Sequence, residues 1–530
     1  MPPTVRPTPR VAAVPTTLYR RARVWNVQDG SATALVVGDD GRIAWLGAQE
    51  EADRYVEAVD AVVDLEGALV LPGFVDAHAH VSHTGLGMRG VDLAGTRTVT
   101  EALDLVAAAA RATPAAPVFA HGWQEEDWTR ERAMTAGELD RASDGGIVYA
   151  SRIDGHSAVV SSALAARAGA DALDGWSGTG FVVRDAKNVA WAAFEAARSR
   201  SERRGDIEAA LRAAAGMGIV AVHECGGPLL TSAEDFADVL DLGRRPGLPS
   251  TVGYWAEPVT DAEQARSLAT AHGALGLGGD LNIDGSIGSH TALLREPYLD
   301  DPTCHGTAYR DVAAVRDHVA ACAVAGVQSG FHVIGDAALD LVLEGYVRAA
   351  ELVGAERLRA SRPRLEHAEM VGPEGIATMA RLGIGASVQP AFDAYWGGRE
   401  GMYAVRLGPE RGVATNPLAG FTGAGVRLAF GADSPVTPFG PWVAVRAAAE
   451  HRDEDQRLSV RAAVRAHTAG GWELAGRSGG ALRVGEPATF AAWSVADLGP
   501  DGLPVLGGGA PLPECLLTVA DGVTLVDARG

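Results

Sequence analysis

At 530 residues the chain is too long for one compact core and points to two or three packed units. A hydrophobic content of 47% with 21% charged residues is ordinary for a globular protein, and no run of 18 apolar residues occurs, so a membrane span is not expected. The formal net charge of −21, from 46 basic and 67 acidic residues, argues against nucleic acid and anionic membranes as partners and leaves a small molecule as the expected one.

The chain opens on a Pro- and Arg-rich stretch, Met1 to Arg10, with no apolar core of a secretory signal; residues 1–16 read as a disordered lead-in. Four scattered cysteines (Cys225, Cys304, Cys322, Cys515) show no CxxC spacing and suggest no disulfide framework, so a reducing cytoplasm is the expected compartment. Short β-like runs follow at 18–27, 32–37, 42–46 and 61–65, with a hairpin signal at Asp39-Asp40-Gly41. The same texture returns at 488–493, 515–519 and 523–526, with a tight turn at Ala520-Asp521-Gly522. Residues 17–70 plus 478–530 are therefore expected to pair into one small β-sandwich that joins the termini and buttresses the rest.

Between these ends, apolar runs alternate with helical stretches, the pattern of a parallel sheet with crossover helices. Candidate strands end near His80, Glu224, Glu257, Asp284, His332, His367, Gln389 and Asp433. Eight is the number a (β/α)8 TIM barrel needs, and it would occupy residues 71–477. Helices are expected over Asp311–Ala325, Ala337–Val353 and Ser459–Gly476, from apolar spacing and, in the last, a Ser start and a Gly stop. Residues 97–205 are surplus to one crossover and read as an inserted subdomain over the mouth of the barrel, a lid that shares in the substrate pocket.

The chemistry is carried by residues at strand ends. His78 and His80, spaced i, i+2 at the end of LPGFVDAHAH (71–80), face the same way on a strand and can grip one ion. His332, His367 and Asp433 end later apolar runs beside Gly or Pro. Four histidines and one carboxylate make a nitrogen-rich site that suits zinc, and less tightly iron, manganese or nickel.

The motifs LPGFVDAHAH, DGHSAVVSSAL (154–164), DGSIGSHTALL (284–294), FHVIGDAALD (331–340), RLEHAEM (364–370), SVQP (387–390) and GADSPVTP (431–438) run through nearly the whole chain. In kind and order they resemble the amidohydrolase superfamily, and within it the amidohydrolase-3, YtcJ-like group. The resemblance implies a composite β-domain beside a metal-dependent hydrolase barrel. It also implies Asp433 as general base and acid, and His156 reaching the site from the insertion to bond the substrate or a developing oxyanion. Substrate contacts are expected from Trp123, Arg152, His290, Arg295 and Gln389. Trp128 and Trp396 are candidates for an apolar wall, His223 for a supporting role, and His467 for stabilising the last helix. The group includes a deformylase of N-substituted formamides, so hydrolysis of a small amide, N-acyl or N-formyl compound is the expected reaction. A deaminase or a lactone or ester hydrolase would use the same ligands; a non-catalytic binding barrel would be expected to lack some of them, and all five are present.

One departure from the pattern bears on metal number. YtcJ-like chains often carry a lysine four residues before the Asp-Gly of the fourth strand, where Asp280 stands here. The single lysine, Lys187, lies in the insertion and is not expected to substitute. Two readings stay open: one metal, or two bridged by a carboxylate, Asp280 or the better-placed Asp284. Self-association is left open, with no interface to name.

Overall fold

The computed structural model describes residues 14–25, 32–114, 116–129 and 132–529. The expected lead-in falls mostly on residues 1–13, outside the described residues.

Eight parallel strands form the central sheet, each paired with the next in chain order. They are β1 (Phe74–Ala79), β2 (Ile219–Gly226), β3 (Ser250–Trp255), β4 (Gly276–Leu277), β5 (Gln328–Val333), β6 (Arg364–His367), β7 (Gly385–Val388) and β8 (Leu428–Phe430). A parallel bridge from Ala79 to Ser434 brings the last strand back to the first and nearly closes the barrel. Every residue of β1, β2, β5, β6 and β7 is buried, as expected of a parallel sheet covered on both faces. The closure is tight: a Cβ on Gly431 would sit 2.5 Å from the His78 nitrogen, so β8 can approach β1 only with glycine there.

Two outer helices follow the sequence closely. One spans Val312–Ala325, capped by the Asp311 side chain, which accepts from the Ala314 N–H, and stopped by Gly326 at φ 72°. The next spans Asp336–Val353. The expected helix over Ser459–Gly476 is instead two, Val460–Ala466 and Ala469–Leu474. The break falls at His467, whose carbonyl accepts from the Val75 N–H at 2.8 Å and whose Nδ1 lies 3.0 Å from the Val75 carbonyl. His467 thus ties the helical layer to β1 rather than prolonging a helix.

β4 also departs from expectation. It stops at Leu277 rather than running to Asp284. A Cβ on Gly278 would lie 2.6 Å from the Gly330 Cα, and Gly279 turns the chain at φ 73°. The segment then regains β5 only at Asn282, through a bridge to His332. This detour carries Asp280 to the barrel mouth.

Both chain ends contribute to two further sheets. Thr17–Arg20, Ala34–Val37, Ile43–Gly47 and Ala61–Asp64 form one. In the other, Leu69–Pro72 pairs antiparallel with Phe490–Ser494, which pairs in turn with Glu514–Ala520. Tyr19, Leu35, Val70, Phe490 and Val519 share one core between them. Between β1 and β2 lies a separate five-stranded sheet, with Val118–Trp123 and Val148–Arg152 at its centre, and the helix Arg184–Glu195 packed on it. Among the described residues, no helix is long and apolar enough to cross a membrane.

Candidate metal centre and active site

His78 and His80 leave the end of β1 on the same side, as the strand period requires. Asp76, two residues earlier, accepts from the backbone N–H of His78 at 3.2 Å and of Ala432 at 3.1 Å, locking the β1 end to the β8 end. Asp433 follows at φ 55° and His367 at φ 64°. Left-handed backbone is costly for residues other than glycine and collects at functional positions. In β6 it has a visible result. Glu366 and His367 are neighbours that a regular strand would point to opposite faces, yet Glu366 reaches His78 at 2.8 Å while the His367 ring comes within 5.0 Å of the His78 ring.

Four side chains converge on one point. His78 Nε2 lies 3.4 Å from Asp280 Oδ1 and 3.3 Å from Asp433 Oδ1; His80 Nε2 lies 3.0 Å from Asp280 Oδ2 and 3.1 Å from Asp433 Oδ1. Despite this crowding, His78 Nε2 and Asp280 Oδ1 are buried and form no well-directed hydrogen bond. Buried polar atoms are nearly always satisfied, so unbonded donors and acceptors facing a common point are what a cation-binding set looks like without its cation. Imidazole nitrogens with carboxylate oxygens fit a divalent first-row metal. His367 joins His78 and Asp433 within ligating range, and the His332 ring packs 4.5 Å from that of His367.

The charges agree with this. Burial alone would raise the Asp280 and Asp433 carboxyls, but His78 and His80 hold both well below the usual carboxylate range. Burial opposes protonation of His80, yet Asp280 and Asp433 carry it up to about 10. His332 and His367 are pushed down by burial, to about 4 and about 3, and stay neutral at pH 7.

A buried layer behind the cluster aims it. His78 Nδ1 faces Glu366 Oε2 at 2.8 Å, which turns Nε2 toward the mouth. Arg364 donates to Glu366 at 2.6 Å, to the Ala77 carbonyl at 2.7 Å and to His223 Nδ1 at 3.1 Å, and its guanidinium lies 4.3 Å from the centre of the Tyr254 ring. Burial works against the Glu366 anion, but Arg364 and His78 bring its carboxyl down to about 2. Gln389 Oε1 lies 2.7 Å from His367 Nδ1 and orients that ring in the same way. His223 is pushed well below its ordinary value by burial and then by Arg364, and so accepts as neutral imidazole.

The model of the amidohydrolase family matches residues 61–526. The chain belongs to the amidohydrolase family. This amidohydrolase is 25% identical to YtcJ of Bacillus subtilis over 84% of its own length and 87% of that protein's. It is 24% identical to the N-substituted formamide deformylase of Arthrobacter pascens, over 88% and 91%. Its fold is that of a metal-dependent hydrolase of Pyrococcus horikoshii of uncharacterized activity (TM-score 0.72, 22% identity, 94% of this chain and 100% of that one).

In this amidohydrolase a cavity of about 500 Å³ opens above the cluster, lined by His80, Asp280, His332, His367 and Asp433 on the barrel side and by the insertion opposite. An apolar recess of Ile287, Ile334, Phe392 and Trp396 adjoins it. His156 lines both, 5.3 Å ring to ring from His332. Burial pushes it below its ordinary value, and its ring nitrogens bond no described protein group. Asp154 steadies it by accepting from its backbone N–H at 3.0 Å.

Other expected site residues are placed elsewhere. Asp284 comes within 4.0 Å of His332 Nδ1, but its carboxylate accepts from the backbone N–H groups of Leu293, Ile334 and Gly335 at 2.8, 3.0 and 2.8 Å, so it organises loops while Asp280 stands beside His78 and His80. Trp123 is buried in the insertion, donating to the Ala150 carbonyl and stacked on Trp128, away from the cavity. His290 is paired with Asp300, and Arg295 with Asp336 and Asp340 on the outer surface. Arg152 does line the cavity, but its guanidinium is taken up by Glu125, Glu126 and Asp154, each at 3.0 Å. The Arg364–Glu366 support was missed: in Ser361-Arg-Pro-Arg-Leu-Glu-His367 the charges stand in a polar stretch, and only the buried strand β6 makes their pairing necessary.

Proposed function

We propose that this amidohydrolase binds one divalent metal ion, zinc in the first instance, and hydrolyses a non-peptide C–N bond of a small amide, N-acyl or N-formyl compound. The observation that carries the reading is the convergence of His78, His80, Asp280 and Asp433, with His78 Nε2 buried within 3.4 Å of both carboxylates and hydrogen-bonded to neither. Because Nδ1 of His78 is committed to Glu366, the same Nε2 serves both carboxylates, which favours a single ion. The similarity to the N-substituted formamide deformylase supports an amide-type substrate.

A divalent cation in this position polarises a carbonyl and acidifies water. Asp433 turns Oδ1 to His78 and His80, leaving Oδ2 to take the proton of the attacking water and hand it to the departing nitrogen. His156, neutral and unbonded, faces the cavity as a donor to the carbonyl oxygen as negative charge develops there. The recess of Ile287, Phe392 and Trp396 receives an apolar substituent.

The test joins elemental analysis to a substitution. A ratio near one metal per chain is expected, and Asp433→Asn should lower hydrolysis of N-substituted formamides and small amides by roughly 1,000-fold with the fold retained. Undiminished turnover in that variant would remove Asp433 from the mechanism, and a ratio near two would replace the single-ion reading.

A further inference from the structure

Two cations line the cavity above the histidine–aspartate cluster without forming an ion pair among the described residues, although Asp154 and Asp280 lie near enough to Lys187 to attract it. Lys187, on the insertion helix Arg184–Glu195, and Arg310, in the segment before the helix Val312–Ala325, both line this space. The other arginines around it are occupied, Arg152 by its three carboxylates and Arg184 by Asp174 at 2.7 Å, and His83 is held by the Leu230 carbonyl at 2.9 Å. By contrast, the Lys187 ammonium and the Arg310 guanidinium make no ion pair or hydrogen bond to any described residue, and Arg310 Nε is buried without a partner. Asn188, beside Lys187, lines the same space with its amide equally unengaged.

Charge bookkeeping sharpens the point. The acidic groups lining the cavity are Asp92, Asp154, Asp185, Asp280 and Asp433. Asp154 is paired with Arg152, and Asp280 and Asp433 face His78 and His80. Asp92 and Asp185 are exposed at the rim, where water screens them. A chain with net charge −21 has carboxylates in plenty, so two part-buried cations left without an ion pair in one cavity do not reflect a shortage of partners. Burial pushes both below their ordinary values, the direction that a bound anion would reverse.

We propose that Lys187 and Arg310, with the Asn188 amide, bind a carboxylate carried by the substrate on the part remote from the scissile amide, so that the favoured substrates are N-acyl or N-formyl compounds bearing an acid group. The inference rests on the amide-hydrolase reading and specifies its substrate class. Arg310 offers a planar fork and Lys187 a point charge, a combination suited to a carboxylate held from two sides. The two side chains reach the space from the insertion and from the loop after β4, so the anion would bridge lid and barrel.

The experiment uses matched pairs that differ by the carboxylate alone: N-formyl- and N-acetylphenylalanine against N-formyl- and N-acetyl-2-phenylethylamine. Metal-loaded wild type should favour the acids in kcat/KM by about 10- to 100-fold, mainly through KM, the range expected for one or two charge-assisted hydrogen bonds. The ratio should fall toward one in Lys187→Gln and in Arg310→Gln, and return in part in Lys187→Arg. A wild-type ratio near one, or a preference that persists in both Gln variants, would overturn the inference while leaving amide hydrolysis standing. Thermal melting is measured in parallel. If no amide is turned over but the acids alone raise Tm, and this shift is lost in the Gln variants, the anion site holds and the amide reading falls. No turnover and no acid-specific shift would sink both.

Discussion

Arg364, Glu366 and His78, beneath the mouth of the barrel, are wholly buried and each is committed to a partner. On the facing wall, Lys187 and Arg310 are part-buried and committed to nothing among the described residues. Both regions hold charge in a low-dielectric setting, but one is a closed network and the other an open one. The closed network fixes the direction of a ring nitrogen by holding the other nitrogen of His78 against Glu366, itself paired with Arg364. The open one leaves its countercharge to come with the ligand. Rigidity and recognition are thereby built on opposite sides of one cavity.

Glu366→Gln should break the closed side most severely. It leaves the Arg364 guanidinium buried without its anion, at a cost of about 3–5 kcal/mol in denaturant unfolding. It also loosens His78, weakening metal affinity by roughly 10- to 100-fold in chelator competition. A variant as stable and as metal-avid as wild type would show that the network does not aim His78.

The Arg152 cluster gives a smaller and pH-dependent effect. Burial pushes Asp154 up, but Arg152 and His156 bring its carboxyl down from 3.8 to about 2 in the folded protein. A folded value below the unfolded one means that the stabilisation is full above the unfolded value and is lost as pH falls through the folded one. Wild-type stability should therefore drop between about pH 4 and pH 2 more steeply than that of Asp154→Asn, as followed by Tm against pH. Parallel profiles would detach Asp154 from the acid limb.

The least effect is expected at Arg295, an exposed partner of Asp340. Arg295→Ala should change stability by less than about 0.5 kcal/mol and leave turnover at the wild-type level. A marked rise in KM there would return to Arg295 the substrate role that its sequence position suggested.

How far the site could be read from the chain follows from how local each signal is. The i, i+2 spacing of His78 and His80 needs only the strand period, and His332, His367 and Asp433 needed only short apolar runs that stop at Gly or Pro. The choice between Asp280 and Asp284 was of another kind. Asp284 was favoured by its place, where a strand was expected to run into Gly285, but β4 ends at Leu277, and the glycine detour beside Gly330 puts Asp280 beside His78 and His80 while Asp284 turns to backbone N–H groups. Arg152, His290 and Arg295 were expected to contact the substrate and are instead paired, with acidic groups that, Asp154 apart, lie ten or more residues away in the chain.

By itself, then, the sequence determined the strand-end ligand set, the barrel that displays it and the family it belongs to, since these rest on period, order and residue type along a short stretch. The tertiary structure alone decided which aspartate stands beside His78 and His80, which arginines are already neutralised, and that Lys187 and Arg310 share one cavity. Pairing and burial of charge depend on distances between segments far apart in the chain, and no local pattern encodes those distances.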